Sequence, residues 1–227
     1  MVPPSRFGML YRISKPVVGV FGTSSKQGKF TLQLKLREMF LGHGYNVGQL
    51  GTESNSILFG MDYVFPMGYN SSVYIQDEDV IRYLNCVINN MCEDGKDIII
   101  VGSQSGTVTY DIGNIVQYNI SQYNFLLGTQ PDAVILCVNP YDDEEYIRRT
   151  INFIESSVNG CKVIAIVVFP MDISDGWSSL YGMKQILSDE KYRQLQYCLS
   201  NRFNIPIFKL GEGNNMSELF QTIVDYF

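Results

Sequence analysis

The chain has 227 residues, 45% of them hydrophobic and 18% charged, which suits one α/β domain large enough to bury a core. A formal net charge of −6 and a pI near 4.8 argue against a general nucleic-acid or membrane surface. No apolar run approaches the roughly 20 residues of a membrane helix and no signal-peptide core opens the chain, so a cytoplasmic protein is expected.

Side-chain chemistry narrows the field further. The cysteines Cys86, Cys92, Cys137, Cys161 and Cys198 are odd in number and lack C-x-x-C spacing, which reads as structural thiols in a reducing compartment. The only histidine, His43, sits in a Gly42-His43-Gly44 turn that ends a helix. A histidine triad or multi-histidine metal centre is thereby disfavoured, and a general base would be a carboxylate or water.

In chain order, residues 1–15 carry two prolines without a clear period and read as a linker, with residues 16–227 as the domain. An apolar strand, Val17, Val18, Val20 and Phe21, then enters the small-residue loop Gly22-Thr23-Ser24-Ser25-Lys26-Gln27. That loop ends in Gly28-Lys29, and an apolar helical repeat starts at Phe30. Strand, Gly-rich loop, Gly-Lys and helix together form the layout of a phosphate-binding loop. Small residues let backbone N–H groups approach a phosphate, the helix N-terminus adds its dipole, and Lys29 supplies a point charge. Five residues separate the glycines where the usual pattern has four, and Phe30 replaces the usual Ser or Thr, with Thr31 one step later.

Lys29 to Leu41 is the first expected helix and Asn46 to Leu50 the second strand. The aromatic stretch 57–75 reads as a long loop with short helical pieces and as a place for a homodimer contact. Asp77 to Met91 has helical spacing, and Asp97 to Val101 is a buried strand followed by the polar loop 102–107 and a Tyr- and Asn-rich segment. Ala133 to Val138 and Val163 to Phe169 are strands flanking a helix at Asp142 to Ser157. A helical region over about 178–201, a strand at Ile205 to Leu210 and a helix at Met216 to Tyr226 complete the chain.

Alternating helices and fully apolar strands predict a three-layer α/β fold: a parallel sheet with helices on both faces, P-loop NTPase-like. Ligands of such sheets bind beyond the carboxyl ends of the strands. Lys29, Glu53, Gln104, Asn139 and Asp172 should therefore share one rim. Lys29 is the expected phosphate ligand. Thr31 either contacts a phosphate or caps a helix, and Glu53 is a metal ligand, a base or a surface carboxylate. Gln104 and Ser105 are placed to orient water or phosphate. Asn139 and Asp172 either read a base or make ordinary turns. Trp177 and the tyrosines of 110–123 either stack on a ligand or pack.

The run Gly22 to Thr31 resembles the G-T-x-x-x-x-G-K-x-T loop of the bacterial P-loop family that includes D-glutamate N-acetyltransferases, and dethiobiotin synthetase carries a related loop. Gly102-Ser103-Gln104-Ser105-Gly106 and the stretch from Leu126 to Leu136 are similar to that family's next blocks. Within it, the chain looks like the peptide maturation proteins associated with radical-SAM enzymes. The likeness spans roughly residues 16–140 and implies ATP or another nucleotide with Mg²⁺ and a peptide or amino-acid substrate. In that family a nucleotide-binding-like N-terminal domain precedes the P-loop domain through a Pro-containing linker, so by this resemblance the Val2-Pro3-Pro4 start suggests the C-terminal part of a longer protein. Lys29, Glu53 and Gln104, grouped by their place on the rim, are the catalytic candidates. Coenzyme A held by the same loop, in an acyltransferase, is the alternative, and a non-catalytic nucleotide-binding partner is another. Gly102 stands where the family has a strand-end Glu that helps hold Mg²⁺, and the family's downstream His is missing. Asp97 begins its strand, about 16 Å from the rim at about 3.3 Å per residue, so Thr31, Glu53 or Asp62 would have to serve a metal.

Overall fold

The computed structural model describes residues 8–67, 75–169, 171–172, 185–211 and 214–227. Its centre is a seven-stranded sheet in which every pairing is parallel. In chain order the strands are β1 (Val17–Gly22), β2 (Val47–Gly51), β3 (Tyr63–Val64), β4 (Ile98–Gly102), β5 (Ala133–Val138), β6 (Lys162–Val168) and β9 (Ile207–Lys209). They lie side by side as β3-β2-β4-β1-β5-β6-β9. Between β6 and β9, β7 (Met171–Asp172) and β8 (Gln185–Ile186) form a separate antiparallel pair.

The helices are α1 (Lys29–Gly42), α2 (Asp77–Glu93), α3 (Ile120–Thr129), α4 (Glu144–Ser157), α5 (Asp189–Phe203) and α6 (Asn214–Tyr226). Side chains alternate across each strand, so one sequence run feeds two cores. Val17 and Phe21 of β1, with Ile99, Val101, Val134 and Leu136, pack against α2, α3, α4 and α5 through Leu84, Phe125, Ile154 and Leu199. Val18 and Val20, with Ile98, Ile100, Ile135 and Val167, meet Leu32, Leu36 and Phe40 of α1 and Leu219, Phe220 and Ile223 of α6. Helices on both faces leave the crossing point between β4, β1 and β5 as the place where consecutive loops open.

The α/β architecture is as expected, with local differences. Two residues of the 57–75 stretch form β3, after a 3-10 turn at Ser56–Phe59; residues 68–74 lie outside the described residues. The Tyr- and Asn-rich segment contains α3, a helix that buries Gln122 and Asn124 along with Phe125 and Leu126. Its polar composition hides it, because tertiary packing rather than an amphipathic stripe holds it in place. Of the helical region expected over 178–201, residues 178–184 lie outside the described residues, Gln185–Ile186 are β8, and the helix starts at Asp189, where Ser188 caps it by accepting from Lys191 N. Residues 8–16 contribute neither helix nor sheet beyond their end, yet Tyr11 N donates to Asn85 Oδ1 at 2.7 Å and Asn85 Nδ2 returns a bond to Tyr11 O at 3.0 Å. His43 ends α1 as the turn implies, followed by Gly44 at φ 86°.

Candidate functional site

β1 lies between β4 and β5, so the loop leaving Gly22 is held from both sides. Thr107 donates to Gly22 O through both N and Oγ1, each at 2.9 Å, and Thr23 N donates to Cys137 O at 3.1 Å. Within the loop, Gln27 folds back: Ser24 N donates to its Oε1 at 3.0 Å, while its Nε2 donates to Thr23 Oγ1 at 2.5 Å. Gly28 starts α1 in the left-handed region at φ 74°, a conformation glycine adopts without strain. A Cβ at Gly28 would also run into Leu210 and Phe169, so the loop has no room for any other residue there. Among the described residues no side chain caps the first amides of α1, which leaves this positive helix end to an external acceptor.

Lys29 is the first residue of that helix and is only 4% exposed. Its Nζ donates to Ser24 O at 2.6 Å, which folds the ammonium across the loop. Burial drags its pKa down to about 8, against weaker opposing effects of Cys137 and Glu53. The Cys137 thiol behind it is itself pushed up to about 12 by burial and is therefore neutral. A cation held at this desolvation cost is poised to gain from an anion placed beside it.

A cavity of about 280 Å³ opens in front of this lysine. Ser25, Lys26, Gln27, Gly28, Lys29 and Phe30 form its floor. Gln33, Thr52, Glu53, Ser103, Gln104 and Ser105 form its wall. Gln104 Nε2 donates to Glu53 Oε1 at 3.3 Å. Gln122 steadies the wall: with its amide oxygen turned toward the loop it accepts from Gln104 N at 3.1 Å and Ser105 N at 3.0 Å. Among the described residues, Gln33 Oε1, Ser103 Oγ and Gln104 Oε1 are buried at this wall without a partner. Buried polar atoms are nearly always satisfied, so three orphans around one ammonium fit a polar ligand or ordered water that completes them.

On the other side of the loop is a second cavity of about 570 Å³, and Ser25 and Ser105 border both. Asp142 organises the shared wall. Its Oδ2 accepts from Thr23 Oγ1 in a short contact, from Asn139 N at 2.8 Å and from Gln27 Nε2 at 3.3 Å. Burial raises the Asp142 pKa in spite of these bonds. Asn139 Nδ2 donates to Ser24 Oγ at 3.0 Å. The Tyr146 hydroxyl lies 2.6 Å from Thr23 O and 2.7 Å from Val108 O, so it can donate to either carbonyl.

The rim drawn from the sequence brings Lys29, Glu53, Gln104 and Ser105 around the first cavity, and Asn139 to the second. Thr23, Ser24 and Ser25 face the second cavity, and Gly22 lies buried behind the loop. Thr31 is exposed and lines neither cavity; Phe30 occupies the near position and stacks edge-on against Phe59 with ring centroids 5.4 Å apart. Asp62 is engaged elsewhere, paired with Lys96 Nζ at 2.7 Å and accepting from Gln49 N at 2.9 Å. The backbone of Asp172 is in β7, while its side chain and all of Trp177 lie outside the described residues. Sequence reasoning missed Gln33, Ser103, Thr107, Asp142 and Tyr146. Only Asp142 carried a local signal, three residues after Asn139 and directly before the α4 cap Asp143.

A phosphate group fits this donor set. A metal-bound triphosphate in the usual arrangement fits less well. Among the described residues Glu53 is the single carboxylate at the first cavity, Phe30 stands in the usual Ser/Thr place, and Gln33 fills the space beyond Gly102.

The parallel sheet and the loop ending in a buried lysine define a P-loop domain of NTPase-like architecture. Residues 7–176 match the family described as "Domain of unknown function (DUF1611_C) P-loop domain", and the chain belongs to that family. Among solved structures it is similar to a DUF1611 family protein from Anabaena variabilis, with TM-score 0.69 and 12% identity, covering 99% of this chain and 63% of that one. It is also similar to the signal recognition particle receptor FtsY from Elizabethkingia anophelis, with TM-score 0.53, 14% identity and coverage of 92% and 65%. Hydrogenase maturation factor HypB from Archaeoglobus fulgidus matches with TM-score 0.51, 12% identity and coverage of 93% and 90%. The chain thus spans 63% of the length of the Anabaena relative. Among curated proteins none matches the sequence. No helix among the described residues is long and apolar enough to cross a membrane.

Proposed function

We propose that this domain binds the phosphates of a nucleotide or nucleotide-bearing cofactor in the cavity before Lys29, and that it uses ATP to activate a carboxylate or drive a step in peptide or small-molecule tailoring. One observation carries the binding: a lysine only 4% exposed, its Nζ 2.6 Å from the Ser24 carbonyl, faces a wall of unpartnered buried polar atoms. A bound phosphate would take that ammonium and the free amides of α1, and Gln104 and Ser103 would meet its outer oxygens or a water. Mg²⁺, when bound, would supply charge neutralisation on the phosphates, with Glu53 as the nearest protein carboxylate. The setting in peptide maturation rests on the sequence resemblance of Gly22 to Thr31 and Gly102 to Gly106.

The space beyond Gly102, filled by Gln33, favours a second reading: an acyltransferase holding coenzyme A through the same loop, since moving an acyl group needs no metal. Titration calorimetry with ATP, GTP and coenzyme A, with and without Mg²⁺, on the wild type and Lys29→Ala separates the two. ATP binding with turnover, lost in Lys29→Ala, supports the first reading, and its Mg²⁺ dependence shows whether a metal takes part; metal-independent coenzyme A binding favours the acyltransferase. Absence of binding by all three ligands defeats both. A homodimer through the exposed Ile57, Leu58 and Phe59 is proposed alongside, and sedimentation of Leu58→Asp against the wild type tests it.

A further inference from the structure

We infer that the second cavity, across Ser25 and Ser105 from the lysine, is the site of the acceptor, and that the acceptor is an ammonium-bearing, partly apolar molecule such as the amine of a peptide. Its role as acceptor rests on the phosphate-loop reading; its chemistry does not. At about 570 Å³ the cavity has the size of an ordinary small-ligand site, larger than the phosphate cavity beside it. The two share Ser25 and Ser105, so occupants of both would meet there.

The lining sets the ligand class. Asp142 and Asp143 border the cavity, and among the described lining residues there is no lysine, arginine or histidine. Two cations beside the lining are committed: Lys29 Nζ donates to Ser24 O at 2.6 Å, and the Arg149 guanidinium donates to the Thr109 carbonyl and lies over the Tyr146 ring, 5.6 Å from the centroid. An anionic ligand would find no counter-charge among the described lining residues, whereas an ammonium would be drawn to the exposed Asp143 carboxylate. The remaining lining mixes Ser, Thr, Asn and Gln side chains with aromatic and apolar ones. Tyr110, Val116 and Tyr141 are 62%, 71% and 56% exposed at the cavity. These three side chains at one mouth offer a seat for the body of the ligand. Asn139 Oδ1, buried and without a partner among the described residues, adds an acceptor suited to an N–H group.

The test uses three probes of one shape and different charge: phenylalaninamide (a cation), N-acetylphenylalaninamide (neutral) and N-acetylphenylalanine (an anion). Each is titrated to millimolar concentration into the full chain and followed by amide NMR. Phenylalaninamide alone should shift the amides of Ser105, Tyr118 and Asp143. Asp143→Asn should weaken it severalfold, and Ser121→Trp, which fills the cavity from an exposed position, should abolish it. The melting transition of each variant confirms its fold, and the probe series stands without them. Equal shifts from all three probes, no shift from the cation, or binding that survives Ser121→Trp overturns the proposal. Amine binding that persists where neither ATP nor coenzyme A binds overturns the phosphate-loop reading and leaves the amine site standing.

Discussion

The side chain of Gln33, reaching in from α1, fills the volume into which any side chain at Gly102 would project. Gln33 is 1% exposed and its Oε1 has no partner among the described residues. The chain has thus exchanged a strand-end side chain for an amide from the neighbouring helix.

Introducing Gly102→Glu should therefore overpack this point. We expect a loss of about 1–3 kcal/mol in urea denaturation, the usual cost of forcing atoms into a filled core. The double variant Gly102→Glu with Gln33→Ala should recover much of that loss, a coupling of at least about 0.5 kcal/mol in the double-mutant cycle. The double variant should also bind ATP more tightly when Mg²⁺ is present, read by calorimetry.

Binding of an anion should be coupled to a proton. Lys29 in the free protein has its pKa drawn down to about 8, and a phosphate beside it favours the charged form and raises that value. At pH 8–9 binding should take up protons, and affinity should fall as pH climbs above about 8. Calorimetry in buffers of different ionisation enthalpy measures the uptake; a binding enthalpy independent of buffer would contradict it.

The same lysine should cost the empty protein stability. Lowering a buried lysine from 10.5 to about 8 corresponds to about 3 kcal/mol at neutral pH. For a base with a lowered folded pKa the penalty is complete below the folded value and vanishes above the unfolded one. Lys29→Met should thus be about 1–3 kcal/mol more stable than the wild type near pH 7 after loss of the Ser24 bond, with the gap closing between pH 8 and 10.5. Denaturation midpoints across that range give the answer.

Asp142 fastens the loop to the end of β5, so Asp142→Ala should leave Thr23 Oγ1, Gln27 Nε2 and Asn139 N short of an acceptor. A cost of about 2–3 kcal/mol follows from the unmet donors, with faster hydrogen exchange at residues 23–28. Because burial raises its pKa, burying its charge costs stability: acid does not remove its contribution, which is complete below the usual carboxylate range and fades as pH rises through the raised value. Asp142→Asn should accordingly resemble the wild type more closely at acid pH than at neutral pH.

What the sequence made legible was what short-range pattern encodes. β1, β4, β5 and β6 are continuous apolar runs, and the glycines and Lys29 are punctuated by the turn from strand to helix. Gln33 was not legible, since a glutamine in a helix reads as surface until the strand beside it is known to end in glycine. Asp142 and Thr23 are 119 residues apart and meet only once β1 and β5 are paired. α3 escaped for a similar reason: Gln122 and Asn124 look solvated in sequence, and are buried because Asn124 Nδ2 reaches Asp77 at 2.7 Å and Gln122 serves the 104–105 loop.

The glycine that opens α1 rests directly against Leu210 and Phe169, residues from the far edge of the sheet. That edge works as a backstop for the loop. Any shift of the first turn of α1 would be met at once by Leu210 and Phe169, so the entrance of the helix and the last third of the chain are braced against each other.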